Sequence, residues 1–340
     1  MSTWRRLLGA LALLAWVATA SGRGAALEAA PPGMAKVAIS VRGWEQTRFV
    51  APGEWVPSPC SLAVPYRGGS ALRFGPRDGI TCVSIDGGPE QPAWISVAAT
   101  DGLAHLSRAL DQGARGFAVL CPQEKLSALP ILPRGRDIAL GVMGDLKDFA
   151  PVVRQTGVSA LAVCSSELVD LCPLTALPDL TSLRLNGFRA VADLRPLARL
   201  RRLTYVRIIA MPSIEDLSPL AELPNLLGIE MFACEKVTDL APLARAPRLE
   251  MLKIRAAKGV TNLAPLAKLV HLKTLLLDDA AVTDLRPIAG LNDLVELDVR
   301  GCEKVDDLTP IRCLVRRRVD ISIPDRLKPQ LEALRATTDF

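Results

Sequence analysis

Aromatic residues make up only 4% of the chain, and histidine occurs twice, at His105 and His271. With so few histidines and no CxxC pair, the soft ligands a zinc site needs are missing. No Ser/His/Asp elbow, Gly-rich phosphate loop or paired-carboxylate motif stands out, and neither histidine has a nucleophile at motif spacing. The sequence therefore reads as that of a non-enzyme without a cofactor. Past the amino terminus, no stretch approaches the roughly 20 apolar residues that span a bilayer. Net charge is small as well, +5 over the whole chain, and nothing in it calls for nucleic acid.

What is abundant is aliphatic. Hydrophobic residues make up 49% of the chain, enough for a core built from Leu, Val, Ile and Ala. The first twenty residues carry a targeting pattern: Arg5 and Arg6, an apolar run from Leu7 to Ala18, and the small-x-small site Ala18-Thr19-Ala20. That run is too short to cross a bilayer, so residues 1–20 read as a signal peptide, with an uncleaved anchor as the competing reading. Its removal takes away two Arg and no acid, leaving +3. The destination is secreted, periplasmic or cell-surface.

Residues 21–35 are small and Pro/Gly-rich and read as a flexible leader. From Val37 the pattern alternates, and Pro and Gly punctuate short segments up to Val83-Ser84-Ile85. Residues 36–92 are expected to form a β-rich cap, because a terminal unit must hide the first repeat's apolar face. A separate binding module is the alternative for this block, and an enzyme hosted by it is the least favoured reading.

From residue 170 one phrase recurs. It reads Asp170-Leu171-Cys172-Pro173-Leu174, then Asp193 to Leu197, Asp216 to Leu220, Asp239 to Leu243, Asn262 to Leu266, Asp284 to Ile288 and Asp307 to Ile311. The leucines at 171, 194, 217, 240, 263, 285 and 308 are spaced 22 or 23 residues apart. Such a period means stacked copies of one small unit. Ile95 and Val97 before Leu106, Phe117 and Val119 before Ala128, and the degenerate copy Asp148 to Val152 extend the array back to about residue 93. Within a unit, Ile229 and Met231 alternate as a strand facing a core, and Asp239 opens a helical turn as an N-cap. Pro242 falls in the first turn, where its missing N–H costs nothing.

Leu294 to Cys302 fits L-x-x-L-x-L-x-x-N/C through its Cys. With the Asp-Leu-x-Pro-Leu ending, the chain resembles the short-unit leucine-rich repeat proteins of the bacterial internalin type. The resemblance implies an α/β solenoid: a horseshoe with a parallel sheet on its concave face and short helical or 3-10 turns on its convex face. It covers roughly 93–323. Two departures stand out, a β-rich cap where internalins have a helical one, and no sortase signal or cell-wall module. The usual Asn position holds Phe188, Met211, Cys234, Ala257, Ala280 and Cys302, so an apolar ladder must replace the Asn ladder.

The array runs to about residue 315, followed by a carboxy-terminal cap over 316–340. Arg316-Arg317-Arg318 reads as a solvated strand start, and Val319, 22 residues after Leu297, begins a last strand. Leu327, Leu331 and Leu334 mark an amphipathic helix. Eight cysteines in an exported chain invite disulfides, but Cys234 and Cys302 lie three units apart, about 14 Å at the strand spacing. A disulfide needs Cα atoms within about 7 Å. Cys60 and Cys82 are the one plausible pair. The Asp row is read as capping, since one carboxylate per turn does not supply calcium's six oxygens.

Three columns of the sheet face outward by register. Together they suggest an apolar cluster of Tyr205, Ile209, Phe232, Met251 and Leu276. Around it stand Arg184, Arg207, Glu230, Lys253, Arg255, Asp278 and Asp298. Aromatic and Met anchors inside a charged rim are the make-up of a protein-binding patch, so the expected partner is a protein or peptide on the concave face. Scattered surface apolars of no consequence are the plainer reading, and the alternative function is then a passive structural or envelope spacer.

Overall fold

The computed structural model describes residues 116–337 except 257, and, before them, the backbone of the strands β1 to β7. These are β1 (Ala35–Val41), β2 (Trp44–Val50), β3 (Trp55–Pro57), β4 (Ala63–Pro65), β5 (Ala71–Arg77), β6 (Ile80–Ile85) and β7 (Trp94–Ala98). Two longer strands follow, β8 (Gly116–Pro122) and β9 (Asp137–Met143). The regular units contribute β10 (Ala160–Cys164), β11 (Ser182–Asn186), β12 (Tyr205–Ile209), β13 (Gly228–Phe232) and β14 (Met251–Arg255). The last three are β15 (Thr274–Leu277), β16 (Glu296–Asp298) and β17 (Asp320–Ser322).

All but β3 and β4, which form a hairpin, join one fifteen-stranded sheet. From β7 to β17 the strands lie side by side in chain order, each parallel to the next. This is the topology of a solenoid in which each turn adds one rung. β1, β2, β5 and β6 continue the same sheet beyond β7, with antiparallel pairs at β1–β2, β5–β6 and β6–β7. The signal-peptide and leader readings for 1–20 and 21–35 lie outside the described residues, apart from Ala35, as does Cys60 of the suggested Cys60–Cys82 disulfide.

Register follows the repeat. Leu183, Val206, Ile229, Leu252, Leu275 and Leu297 are partners on successive strands, and all are buried. Opposite them, each turn supplies its own apolar set, for example Leu217, Leu220, Leu223 and Leu226. No unit can bury this stripe alone; the neighbours above and below complete it. The positions that would carry Asn are apolar and buried at Phe188, Met211, Cys234, Ala280 and Cys302. Here the thiols of Cys234 and Cys302 point weakly at carbonyls of the preceding rung, Ile208 and Leu277.

The helical turns confirm the role of the phrase and refine it. Asp170, Asp193, Asp216, Asp239, Asn262, Asp284 and Asp307 each accept, through Oδ1, the amide two residues on, at 2.8–2.9 Å. Asp148 does the same to Ala150 in the degenerate unit. The acid thus stands one residue before the cap position and closes an Asx turn, satisfying an amide the turn leaves open. Pro follows at the first or second position of the turn, as at Cys172–Ala176 and Ala241–Arg245.

The carboxy-terminal end departs from the sequence reading in two places. Arg316 ends a short helix, Arg312–Arg316, instead of starting a strand. Arg317 turns inward, donating to the carbonyls of Leu291 (3.0 Å), Leu294 (3.3 Å) and Asn292. That helix lengthens the connection, so the partner of Leu297 is Ile321 and not Val319. Lys328–Ala336 then packs Leu331 over the end of the core, with Leu327 buried and Leu334 partly so.

Candidate functional site

From β10 to β16 one face of each strand is occupied by core. The other carries the side chains that the repeat leaves free. In the middle column Arg184, Arg207, Glu230, Lys253, Leu276 and Asp298 are partners on consecutive rungs. On one side run Ser182, Tyr205, Gly228, Met251, Thr274 and Glu296; on the other, Asn186, Ile209, Phe232 and Arg255. Asp278 and Arg300 fall just past the ends of β15 and β16. The columns read from the sequence are those of the sheet.

Exposure divides the suggested apolar cluster. Phe232 is 46% exposed, and Ile209 and Met251 are half-buried. Tyr205 and Leu276 are each only 6% exposed, and so do not stand out as surface anchors. For Tyr205 the cause is on the next rung. Gly228 lies opposite it, and a Cβ there would come within 2.8 Å of Tyr205 Cδ2, so the ring lies against bare backbone. Its hydroxyl donates to Glu230 Oε2 at 2.6 Å. Burial, and then the Glu230 charge, push the phenol far above its ordinary range. Leu276 sits with Lys253 and Asp298 on the rungs at either side, about 4.8 Å away.

Glu230 is the centre of this arrangement. One carboxylate oxygen takes the Tyr205 hydroxyl and the other takes Arg207 Nη2 at 3.3 Å. Arg207 Nε is buried and has no hydrogen-bond partner. On the next rung out, burial and then the charge of Arg207 pull the Arg184 guanidinium down to about 10. At the other end of the face, Asp298 is held by Arg300 in a two-pronged bond, Nε to Oδ1 at 3.0 Å and Nη2 to Oδ2 at 2.6 Å. Thr274 donates to Glu296 at 3.3 Å. The face is therefore basic from β11 to β14 and acidic over β15 and β16, where Asp298 is held by Arg300 and Glu296 by Thr274.

Sequence reasoning placed these residues on one face but missed the Tyr205–Glu230–Arg207 chain. Gly228 between two long-side-chain rungs was the available signal, since a strand glycine marks a close approach.

Elsewhere the chemistry is quiet. A cleft of about 350 Å³ opens on the turn side between Cys172, Thr175, Asp193, Arg195, Pro196 and Arg199, but Arg195 is already clamped on both oxygens of Asp193. Cys121, Cys164, Cys172, Cys234, Cys302 and Cys313 are free thiols. Burial pushes Cys234 and Cys302 up to about 11, so they stay protonated. Among the described residues no group of three His, Cys, Asp or Glu converges to hold a metal ion, and no helix is long and apolar enough to cross a membrane.

No family model and no curated protein matches the chain. Solved structures do. Internalin C2 from Listeria monocytogenes is 26% identical, with 51% of this chain covered, 74% of that one, and a TM-score of 0.43. The internalin inlF of the same organism is 20% identical, with 59% and 68% covered and a TM-score of 0.45. The leucine-rich repeat domain of the type III effector XopL is 19% identical, with 66% and 81% covered and a TM-score of 0.44. By its own 22- and 23-residue period, its in-register parallel rungs and its buried ladder, the chain is a leucine-rich repeat solenoid similar to the internalins.

Proposed function

We propose that this is an exported leucine-rich repeat protein that binds a protein or peptide on the open face of its sheet and performs no catalysis. Exposed Phe232 carries the reading. A phenylalanine at the edge of the face, with half-buried Ile209 and Met251 nearby and charges around it, is an aromatic anchor with a polar surround. The parallel rungs fix the backbone that carries these side chains, so little backbone ordering cost falls on association. The Arg5-Arg6 start, apolar run and Ala18-Thr19-Ala20 site support export. The block 36–92 serves as the amino-terminal cap in this reading, and 316–340 as its counterpart.

The test is affinity capture by the mature chain, comparing wild type with Phe232→Asp and with the exposed Val270→Asp as control. Loss of the same captured species from Phe232→Asp alone is expected. Equal capture by all three would remove the face from consideration.

A further inference from the structure

The charge on the open face is lopsided. Strands β11 to β14 present four cations there, Arg184, Arg207, Lys253 and Arg255, against a single carboxylate, Glu230. Both oxygens of that carboxylate already have partners within the protein, the Tyr205 hydroxyl and Arg207 Nη2. The rung beyond Arg184 offers Ala162 at the same register. Like charges directly opposite one another on neighbouring strands destabilise a sheet. Arg184 and Arg207 are such a pair, about 4.8 Å apart at the backbone, and both are half-buried. Arg207 Nε in addition lies buried with no hydrogen-bond partner in the protein.

An anion seated here would neutralise the excess charge. A guanidinium's planar fork matches a carboxylate. Apolar Ile209 stands beside Arg207 on the same strand, with Phe232 as its partner on the next. The fitting ligand is thus an acidic side chain next to an apolar one.

We propose that Arg184 and Arg207 form a carboxylate-binding subsite that takes an acidic side chain of a protein partner, whose neighbouring apolar residue packs on Ile209 and Phe232. This rests on the reading that the open face binds protein. It deepens that reading by naming the partner's chemistry.

The test is fluorescence anisotropy of labelled hexaglutamate, hexaglutamine and hexalysine peptides against the full chain at low salt. Saturable binding of hexaglutamate alone is expected, weakened on the order of tenfold by either Arg184→Gln or Arg207→Gln. Arg195→Gln and Arg286→Gln, on the turn side, should leave it unchanged. Thermal melts accompany each variant. Removing one of two adjacent like charges should not lower the melting temperature of Arg184→Gln. Should either glutamine variant fail to fold, Arg184→Lys and Arg207→Lys keep the charge, remove the fork and should give a smaller loss.

No binding of hexaglutamate, or equal binding by the arginine variants and wild type, would overturn the subsite. So would displacement of hexaglutamate by inorganic phosphate at far lower concentration than by acetate, which would assign a phosphorylated ligand instead. The two readings separate cleanly. A captured partner lost with Phe232→Asp but indifferent to both arginine variants leaves the face standing and removes the subsite.

Discussion

In four consecutive units, from β11 to β14, the residue between the strand and its buried ladder position adopts a left-handed backbone. Gly187 does so at φ 78°, but the equivalent positions in the next three units are Ala210, Ala233 and Ala256, at φ 52°, 53° and 55°. An L-residue in this conformation costs about 1–2 kcal/mol, whereas glycine pays roughly 0.5–1 kcal/mol in extra chain entropy. Replacing one of these alanines by glycine should therefore stabilise the protein by about 0.5–1 kcal/mol. Ala210 and Ala256 are two rungs apart, about 10 Å, far enough for their effects to add. The double variant Ala210→Gly/Ala256→Gly is expected to gain about 1–2 kcal/mol. Ala244, inside the 3-10 turn Ala241–Arg245, is the internal control. There the same substitution should lose roughly 0.5–1 kcal/mol. Urea unfolding followed by far-ultraviolet circular dichroism reads both as shifts of midpoint at unchanged slope. If Ala210→Gly loses as much as Ala244→Gly, the left-handed assignment is wrong.

Two further outcomes follow from the same geometry. A Cβ at Gly301 would overlap Asp278 Oδ1 and the Asp279 amide, so Gly301→Ala should destabilise by about 1–3 kcal/mol, seen as a lower unfolding midpoint; an unchanged midpoint would mean these loops do not meet. The Asp row sets the acid limit. Hydrogen bonds from Cys172, Arg195, Ser218, Arg286 and Thr309 hold the carboxyls of Asp170, Asp193, Asp216, Asp284 and Asp307 below their ordinary range. A depressed folded-state pKa gives stability that is complete above the unfolded value, about 3.9, and is lost as pH falls through the lower folded values. Melting temperature measured against pH should thus start to drop only near pH 4, and less steeply in Asp216→Asn; a loss already under way near neutrality would contradict this.

The sequence alone determined the coil. A phrase repeated every 22 or 23 residues, with leucines at constant offsets, has one low-energy solution, because each unit's apolar stripe is covered only by a copy of itself. Register then follows, since a slip by one residue would turn every Leu183- or Ile229-type position out to water. This is why the three outward columns were legible before any coordinate. The carboxy-terminal register was not, because the helix Arg312–Arg316 inserts residues between Val299 and Ile321 that carry no repeat signature.

Only the tertiary structure decided what the outward side chains do. Whether Tyr205 projects or lies flat depends on Gly228, its neighbour in space and 23 residues away in the chain. Whether Arg207 meets Glu230 depends on which rotamers two adjacent rungs allow. Inward positions are constrained by exclusion from water, a force that composition and period reveal. Outward positions are governed by pairwise contacts between residues brought together by stacking, and those are settled only when the rungs are in place.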